Sequence, residues 1–493
     1  MNGFAAGLQL VFQTDTLLLM VLGVVAGIII GALPGLTATM AMALVTPFTF
    51  GMPASTAISV LLAIYVGAIS GGLISAILLK IPGTPSSIAT TFDGFPMARQ
   101  GFAGKALGTA IIVSFIGGLI SFVILILVSP QLAKFALKFG PHEYFAVGIL
   151  GLSTIVSMGS GSPLKGLIAG AFGLLFSTVG LDIMTGIPRF TFGSSELTSG
   201  LDFVAVLIGL FAISQVLADI ENIYQNLDVK TKIGRLFPSL AEMKRNIVNI
   251  IRSAFIGTWI GILPGAGGSI ASLMSYDQAK KFSKTPEKFG TGYIDGVIAS
   301  ETANNAVIGG ALIPLLTLGI PGDTPAAILL AALTLHGLQP GPLLYRTNPE
   351  IFQIVFISLC IANIMMVLIE MSGIKLFIKI LKVPKYILLP LIVGLCVVGS
   401  YSINNRFLDV WTMFGFGVLG YFMEKHGFSV APAVLGVVLG PMIEGEFRRA
   451  LLISQGNLTS FFTRPISAIV LTLTIVLLAV PALRKLKRGA VKI

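Results

Sequence analysis

Charge is scarce in this chain. Only 11% of its 493 residues are Asp, Glu, Lys or Arg, whereas soluble globular proteins carry roughly 25%. Hydrophobic residues make up 55%, and the mean hydropathy is +0.94. This composition argues against an ordinary soluble enzyme or binding domain, because too few polar side chains are available to cover an aqueous surface. It predicts a chain embedded in lipid.

Cysteine and histidine are equally rare. Cys360 and Cys396 both lie in apolar runs, a placement that favours small buried residues over a disulfide framework. The three histidines stand apart from each other and from both cysteines. No group of His, Cys and carboxylate residues has the spacing of a metal site or of a nucleophile with its base. We therefore expect neither an enzyme nor a resident cofactor.

The net charge of +11 does not indicate a nucleic-acid partner. The basic residues lie between apolar runs and at the C-terminus, and they form no basic face interleaved with aromatic residues. Positive loops beside hydrophobic spans are the orientation signal of membrane proteins. No basic segment precedes the first apolar run, so we expect insertion through that run and no cleaved signal peptide.

Two helix-breaking motifs each occur twice. Gly31-Ala32-Leu33-Pro34-Gly35 is matched by Gly261-Ile262-Leu263-Pro264-Gly265, and Ile81-Pro82-Gly83-Thr84-Pro85 by Ile320-Pro321-Gly322-Asp323-Thr324-Pro325. A Pro-Gly pair inside apolar sequence is unfavourable unless the freed backbone groups find partners. Interrupted hydrophobic segments at matching places in two halves are typical of a transporter's substrate site.

The apolar runs predict an all-α polytopic membrane protein. Runs of about 18 or more residues are candidate spans, and we expect roughly ten to twelve transmembrane helices in two homologous repeats with broken helices or re-entrant hairpins. The repeats occupy 1–225 and 253–493, and 226–252 forms a basic cytoplasmic connector with Lys230, Lys232 and Arg235. Within the repeats, 203–217 is matched with 466–480.

The relative direction of the repeats is less evident. No Lys or Arg precedes Lys80, whereas the second half begins behind the basic connector, and this asymmetry favours inverted repeats. Both halves end in basic sequence, which favours parallel repeats. An extra crossing in the second half, near 428–443, reconciles the two observations. We favour inversion.

The motifs suggest how a carboxylate is held. After each Leu-Pro-Gly break, the free N–H groups and positive dipole end of the following half-helix suit an anion; the alternative is a packing kink. Pro264 to Ser269 resembles a phosphate loop but lacks the Gly-Lys-Ser/Thr ending, so we exclude nucleotide binding. The predicted substrate-binding residues are Pro34, Gly35, Thr37, Thr39, Gly83, Thr84, Ser86, Ser87, Gly265, Gly267, Gly268, Ser269, Gly322 and Thr324.

Four polar residues in apolar segments are candidates for a coupling cation. Asp323 follows the second Pro-Gly pair, and Glu301, Asn304 and Asn305 lie inside one span. Intramembrane carboxylates are rare and usually functional, and these ligands suit sodium or a proton. Two alternatives remain open: Asp323 caps the helix that follows it, and the Glu301 group makes helix–helix hydrogen bonds.

The motifs resemble those of the large membrane subunit of tripartite tricarboxylate transporters, the TctA type. The resemblance covers essentially the whole chain and is most specific at Lys80 to Ser87, followed by Asp93 to Ala98, and at Gly261 to Ser269. It implies a bacterial inner-membrane subunit that works with a small four-helix membrane subunit and a periplasmic solute-binding protein. It further implies uptake of tri- or dicarboxylates such as citrate, driven by a sodium or proton gradient without ATP. A channel or passive scaffold is the alternative.

Overall fold

The computed structural model describes residues 2–158, 163–182, 184–221, 234, 236–381 and 383–490. Lys230, Lys232 and Arg235 of the predicted connector lie outside these residues. The described chain is almost entirely helical, as the composition predicts. The two short strands, β1 (Gly180–Leu181) and β2 (Pro188–Arg189), pair antiparallel with Gly180 opposite Arg189.

The helices follow in chain order. The first ten are α1 (Asn2–Val11), α2 (Thr14–Ala32), α3 (Ala38–Val45), α4 (Ala54–Leu79), α5 (Thr90–Met97), α6 (Ala103–Ala136), α7 (Pro141–Met158), α8 (Pro163–Phe176), α9 (Phe203–Leu207) and α10 (Ser214–Ile220). The next six are α11 (Leu240–Arg245), α12 (Ile247–Ile262), α13 (Gly267–Lys281), α14 (Ile294–Leu318), α15 (Thr324–Leu335) and α16 (Pro342–Thr347). The last six are α17 (Pro349–Ile380), α18 (Lys385–Asn404), α19 (Phe407–Lys425), α20 (Ala431–Ile453), α21 (Ser460–Thr463) and α22 (Pro465–Ala490).

Short turns of other helix types connect some of these elements. Four are 3₁₀ helices, at Thr46–Thr49, Pro85–Ser87, Glu196–Ser199 and Pro286–Lys288, and two are π-helical, at Ala98–Phe102 and Ile208–Ile213. The π-helical turn between α9 and α10 leaves 203–220 as one continuous helical stretch.

Within the described residues, six helical stretches are long and apolar enough to cross a membrane: Thr14–Ala32, Ala54–Leu79, Thr90–Ala136, Phe203–Ile220, Pro349–Ile380 and Lys385–Asn404. Five apolar helical segments are shorter: Ala38–Thr49, Leu164–Phe176, Ile247–Ile262, Thr324–Leu335 and Pro465–Leu478. The chain is a multi-pass membrane protein. The short segments are expected where Pro-Gly pairs end helices inside the bilayer.

The chain forms two compact units. Unit 1 comprises Met1–Gln131 and Ala218–Gly399, and unit 2 comprises Leu132–Leu217 and Ser400–Ile493. Each unit therefore combines a segment from the first half of the chain with one from the second. All predicted site residues belong to unit 1.

Small residues allow the helices of unit 1 to approach closely. Gly27 on α2 and Gly71 on α4 lie in one seam, where an added Cβ would meet a backbone oxygen of the other helix at 2.5 Å. Gly261 on α12 and Gly310 on α14 form an equivalent seam, with Cβ-to-oxygen distances of 2.6 and 2.3 Å. Glycine at helix contacts is the usual means of close packing in lipid. The breaks at the ends of α2 and α12 are thereby held beside α4 and α14.

Unit 2 contains α7 to α9, α19 to α22 and the β1–β2 hairpin. An ion cluster anchors this hairpin: Arg189 donates to Glu444 at 2.6 Å, and Arg448 donates to Asp182. Hydrogen bonding to Arg448 holds the pKa of the Asp182 carboxyl well below its usual range.

Candidate functional site

The two Leu-Pro-Gly breaks have the same local geometry. Leu33 leaves α2 with φ −77° and ψ 119°, and Leu263 leaves α12 with φ −82° and ψ 112°. Each leucine N–H donates to a carbonyl three residues back, at 3.2 and 3.0 Å. Gly35 and Gly265 then adopt φ of 95° and 80°, values that favour glycine.

The half-helices that follow the breaks begin differently. The Thr37 hydroxyl caps α3 by accepting the Met40 N–H at 3.1 Å, so this predicted ligand has a structural partner. Ala266 precedes α13 and has no side chain able to cap it. The first N–H groups of a helix have no acceptor within that helix. The N-terminus of α13, at Gly267, Gly268 and Ser269, is therefore the more open anion site of the two.

The Pro-Gly turns pack directly against the breaks. An added Cβ on Gly83 would lie 2.1 Å from the Gly31 oxygen, and one on Gly322 would lie 2.1 Å from the Gly261 oxygen. The N–H of Gly83 donates to Gly72 at 3.3 Å, and that of Gly322 donates to Ala311 at 3.4 Å. These glycines serve close packing, and their N–H groups already have acceptors.

The motifs converge within unit 1. The Gly265 N–H donates to the Gly322 oxygen at 2.8 Å, which joins the second break to the second turn. The Thr39 and Thr324 hydroxyls hydrogen-bond at 2.8 Å, which joins the first half-helix to the turn of the second half. Residues almost 300 positions apart in sequence thus meet.

The first turn of α13 lies between residues from both halves. An added Cβ on Gly268 would be 2.6 Å from the Ser86 Cβ and 2.8 Å from the Asn304 Oδ1, and one on Gly267 would be 4.0 Å from the Asp323 Cβ. The Ser86 hydroxyl also bonds Thr84 at 2.9 Å, and Thr84 lies 3.3 Å from the Ser87 hydroxyl. Backbone N–H groups, hydroxyls and an amide therefore lie together at this helix end, with the Asp323 side chain beside them.

The first break has a different neighbour. The Asp219 carboxylate lies 2.7 Å from the position of a Cβ on Gly35, and Lys385 pairs with Asp219 at 2.7 Å. The carboxylate beside Gly35 makes this break a poorer place for a second anion than the N-terminus of α13. Pro34 itself is buried.

Asp323 uses both oxygens. Oδ1 accepts the Ala326 N–H at 2.9 Å, so Asp323 caps α15. Oδ2 accepts the hydroxyl of Tyr65 on α4. The capping interpretation is thus correct for one oxygen, and the other belongs to a contact across the two halves. Sequence reasoning missed Tyr65 because a single tyrosine in an apolar helix carries no distinguishing signal.

Glu301, Asn304 and Asn305 are fully buried on α14. Glu301 accepts from the hydroxyls of Thr90 and, at 3.4 Å, of Ser114. Asn305 Nδ2 donates to the Ser114 hydroxyl at 2.7 Å. Helix–helix hydrogen bonding therefore occurs here, as one alternative predicted. The Oδ1 atoms of both asparagines have no hydrogen-bond partner among the described residues.

Two fully buried carboxylates of unit 1 were not among the predicted site residues. Asp93 on α5 is fully buried and accepts the N–H groups of Gly290, Gly292 and Tyr293 at 2.8 to 2.9 Å. Glu370 on α17 is also fully buried. An acidic residue in an otherwise apolar span was the available signal for Glu370.

The chain is similar to one protein family and to two known proteins. Residues 17–435 match the model of the family described as the tripartite tricarboxylate transporter TctA family. The chain is 40% identical over 465 residues to an uncharacterised 52.8 kDa protein in the TAR-I ttuC' 3' region of Agrobacterium vitis, covering 94% of this chain and 93% of that protein.

A second Agrobacterium vitis protein, uncharacterised and in the TAR-II ttuC' 3' region, is 41% identical over 231 residues, 46% of this chain and 96% of its own length. No solved structure matches the chain significantly.

Proposed function

The chain belongs to the tripartite tricarboxylate transporter TctA family, and from this premise we propose that it is the permease subunit of a binding-protein-dependent secondary transporter. It takes up carboxylated solutes, tri- or dicarboxylates such as citrate, with a sodium or proton gradient as the energy source. The observation that carries the proposal is the meeting of the second break and both Pro-Gly turns at the N-terminus of α13, where Thr39 and Thr324 join the first half-helix to the second turn. A passive scaffold has no need for this convergence.

The substrate carboxylate lies at the first turn of α13 in this proposal. The N–H groups of Gly268 and Ser269 and the positive end of the helix dipole attract it. The hydroxyls of Ser86 and Thr84, from the first half, donate to its oxygens. These contacts recognise a carboxylate group and do not by themselves select one acid.

Asp323 couples the cation to the substrate. When ionised, its carboxylate lies close to the same helix end and repels an incoming anion. A cation held by Asp323 and by the free amide oxygen of Asn304 removes that repulsion, so the two ligands bind cooperatively. Linkage makes the effect reciprocal: the substrate strengthens cation binding by the same factor. Glu301 and Asn305 extend the polar layer behind this site.

The repeats run in opposite directions in this proposal, and helix directions within unit 1 support it. Along α2 and α4 the residue numbers of the contacting pairs rise together, from Gly23 beside Val60 to Gly31 beside Ala68. These two helices are therefore parallel. Contacts between α12 and α14 advance in the same way. The question is then whether α4 and α14 point the same way.

The contacts indicate that α4 and α14 point in opposite directions. Near the end of α4, Ile77 packs on Gly94 of α5, and the adjacent Asp93 accepts the N–H of Tyr293 just before α14 begins. The beginning of α12 lies at this same end, because Asn246 donates to Asp295 at 2.9 Å. The first copy therefore runs towards the end from which the second copy departs. Inverted copies around a shared site are the usual basis of alternating access.

Family membership and charge support our inference of the partners and the location. The end of unit 1 beside the connector carries a set of basic residues: Lys80, Arg99, Lys105, Lys244 and Arg245. By the positive-inside rule this end is cytoplasmic in a bacterial inner membrane. The opposite end receives the solute from a periplasmic solute-binding protein, and a small four-helix membrane subunit completes the complex.

Uptake of radiolabelled citrate into proteoliposomes that hold all three subunits tests the function, with sodium and pH gradients imposed separately. Asp323→Asn keeps an oxygen to cap α15 but removes the charge, so we expect gradient-driven uptake to fall at least about tenfold. Asp202→Asn is the matched control, because Asp202 caps α9 at the same 2.9 Å distance in unit 2. Normal uptake by Asp323→Asn contradicts the cation role. Flux that needs no binding protein and no ion gradient indicates a channel.

A further inference from the structure

Glu370 stands apart from the site described above. It lies on α17 and is fully buried, and its Oε2 accepts the hydroxyl of Ser70 on α4 at 2.6 Å. Its Oε1 has no hydrogen-bond partner among the described residues. A buried carboxylate with one free oxygen is unfavourable when ionised, because nothing replaces the lost hydration of that oxygen.

No cationic side chain in the described part of the chain compensates Glu370. The elements packed against α17 carry six titratable or charged side chains: Asp15 on α2, Tyr65 on α4, Tyr345 and Arg346 on α16, and Lys105 and Lys134 on α6. Four more lie on α17 itself: Glu350, Cys360, Lys375 and Lys379. Lys375 and Lys379 are exposed, and Tyr65 donates to Asp323. Within the described ranges, no Lys, Arg or His side chain pairs with Glu370.

A second buried acid, Glu301 on α14, lies in the neighbouring polar region. Gly117 and Gly118 of α6 lie against Thr302, the residue after Glu301, and against Asn363 of α17, respectively. Two buried carboxylates in one polar region are not both ionised at low free-energy cost, which favours binding of a proton by one of them. Asn363, two turns earlier on α17, is fully buried. Its Oδ1 also has no hydrogen-bond partner among the described residues and lies against Gly118 of α6. A polar layer thus extends from Glu301 towards α17.

We propose that Glu370 is a proton-binding site of the transport cycle, with Ser70 as its hydrogen-bonding partner and Glu301 as the second member of the pair. The inference rests on the proposed function and names the proton as a coupling ion in addition to the cation at Asp323. Oε1 accepts the proton in one conformation of the transport cycle and releases it in the other. The carboxyl is neutral while it carries the proton and ionised after release.

The ligand set favours a proton over a metal cation. A dehydrated hard cation needs several oxygen ligands around it, whereas Glu370 offers one free oxygen beside one hydroxyl. The free Oδ1 of Asn363 is seven residues away on the same helix, which corresponds to about 10 Å of helix rise. A proton needs no further ligand than the carboxylate itself.

Glu370→Gln tests the proposal in the reconstituted three-subunit complex, because glutamine keeps an acceptor for Ser70 but cannot exchange a proton. With sodium equal on both sides, we expect citrate accumulation driven by a pH gradient to fall at least about tenfold. Counterflow of labelled citrate against unlabelled citrate, which needs no net proton movement, stays near the wild-type rate. Glu350→Gln at the start of α17 is the matched control and keeps both activities.

A second measurement is independent of transport. The infrared carboxylic-acid band of the purified complex loses one component in Glu370→Gln and none in Glu350→Gln. Proton-driven accumulation at the wild-type level in Glu370→Gln overturns the proposal. Loss of counterflow in a normally folded Glu370→Gln also overturns it, because the residue then serves substrate binding. If the wild-type complex shows no saturable citrate counterflow, the proposed function itself is wrong.

Discussion

Gly83 and Gly322 show how single residues bring the site together. Gly83 contacts the carbonyl of Gly31, and Gly322 contacts that of Gly261, each at the end of a broken helix. Neither position has room for a methyl group. Neither needs a positive φ, since neither is among the glycines with that conformation. Steric closeness is the reason for glycine at both positions.

Gly83→Ala therefore tests the packing of the first turn. The new methyl group must displace backbone, and overpacking of this kind costs about 1–3 kcal/mol. We expect a lower thermal midpoint in detergent and a lower yield of folded protein. Gly51→Ala is the control, because an added Cβ there meets nothing within 4 Å. Equal midpoints for the two variants contradict the close approach.

The contact between Tyr65 and Asp323 yields a prediction with a definite sign. Tyr65→Phe removes the donor from Oδ2 of Asp323, and the loss of a hydrogen bond to a buried charged group costs about 1.5–3 kcal/mol. The less stabilised carboxylate then binds its cation more tightly, so the half-saturating cation concentration for citrate uptake falls by roughly tenfold or more.

The control for this prediction is Tyr276→Phe. Tyr276 donates to the Asp93 carboxylate at 2.8 Å, a bond of the same kind at a residue with no proposed cation role. An unchanged or higher half-saturating concentration in Tyr65→Phe contradicts the assignment of the cation to Asp323.

At the scale of helices, the packing of unit 2 bears on one predicted correspondence. Within the predicted repeats, the sequence pairs Phe172-Gly173 on α8 with Phe416-Gly417 on α19. In the structure Gly173 packs on Ala433 and Gly436 of α20, whereas Gly417 and Gly209 pack at one contact. If α8 corresponds to α19, then α20 corresponds to the 203–220 helix. With the repeats as predicted, this packing would pair 203–220 with α20 instead of 466–480 and would make α22 the extra crossing. The correspondence itself stays a prediction.

The loops before α4 and α14 test the direction of the repeats. In inverted copies these equivalent loops lie on opposite faces of the membrane. In a chain with Cys360 and Cys396 replaced by alanine, Gly51→Cys should react with a membrane-impermeant maleimide outside the cell. Lys284→Cys, exposed before α14, should react only after permeabilisation. Labelling of both from the same side supports parallel repeats.

At the scale of the whole molecule, each compact unit draws on both halves of the chain. The predicted segments 1–225 and 253–493 describe sequence homology, whereas the units of the structure describe packing, and the two need not coincide. In unit 1 segments from both halves of the chain meet at the proposed carboxylate and cation site. A site shared between copies changes its access when one copy moves against the other, which suits a transporter better than a fixed scaffold.

Much of this protein was predictable from the sequence because the relevant chemistry is local. Low charge and long apolar runs require a membrane, and a Pro-Gly pair breaks a helix whatever surrounds it. The positions of the breaks were therefore predicted, together with the family they indicate. The partners of those residues were not, because Tyr65 and Asp323, or Ser70 and Glu370, lie hundreds of residues apart. Only tertiary packing decides which helices bring such pairs within hydrogen-bonding distance, and it also decides which N–H groups near the breaks are already bonded.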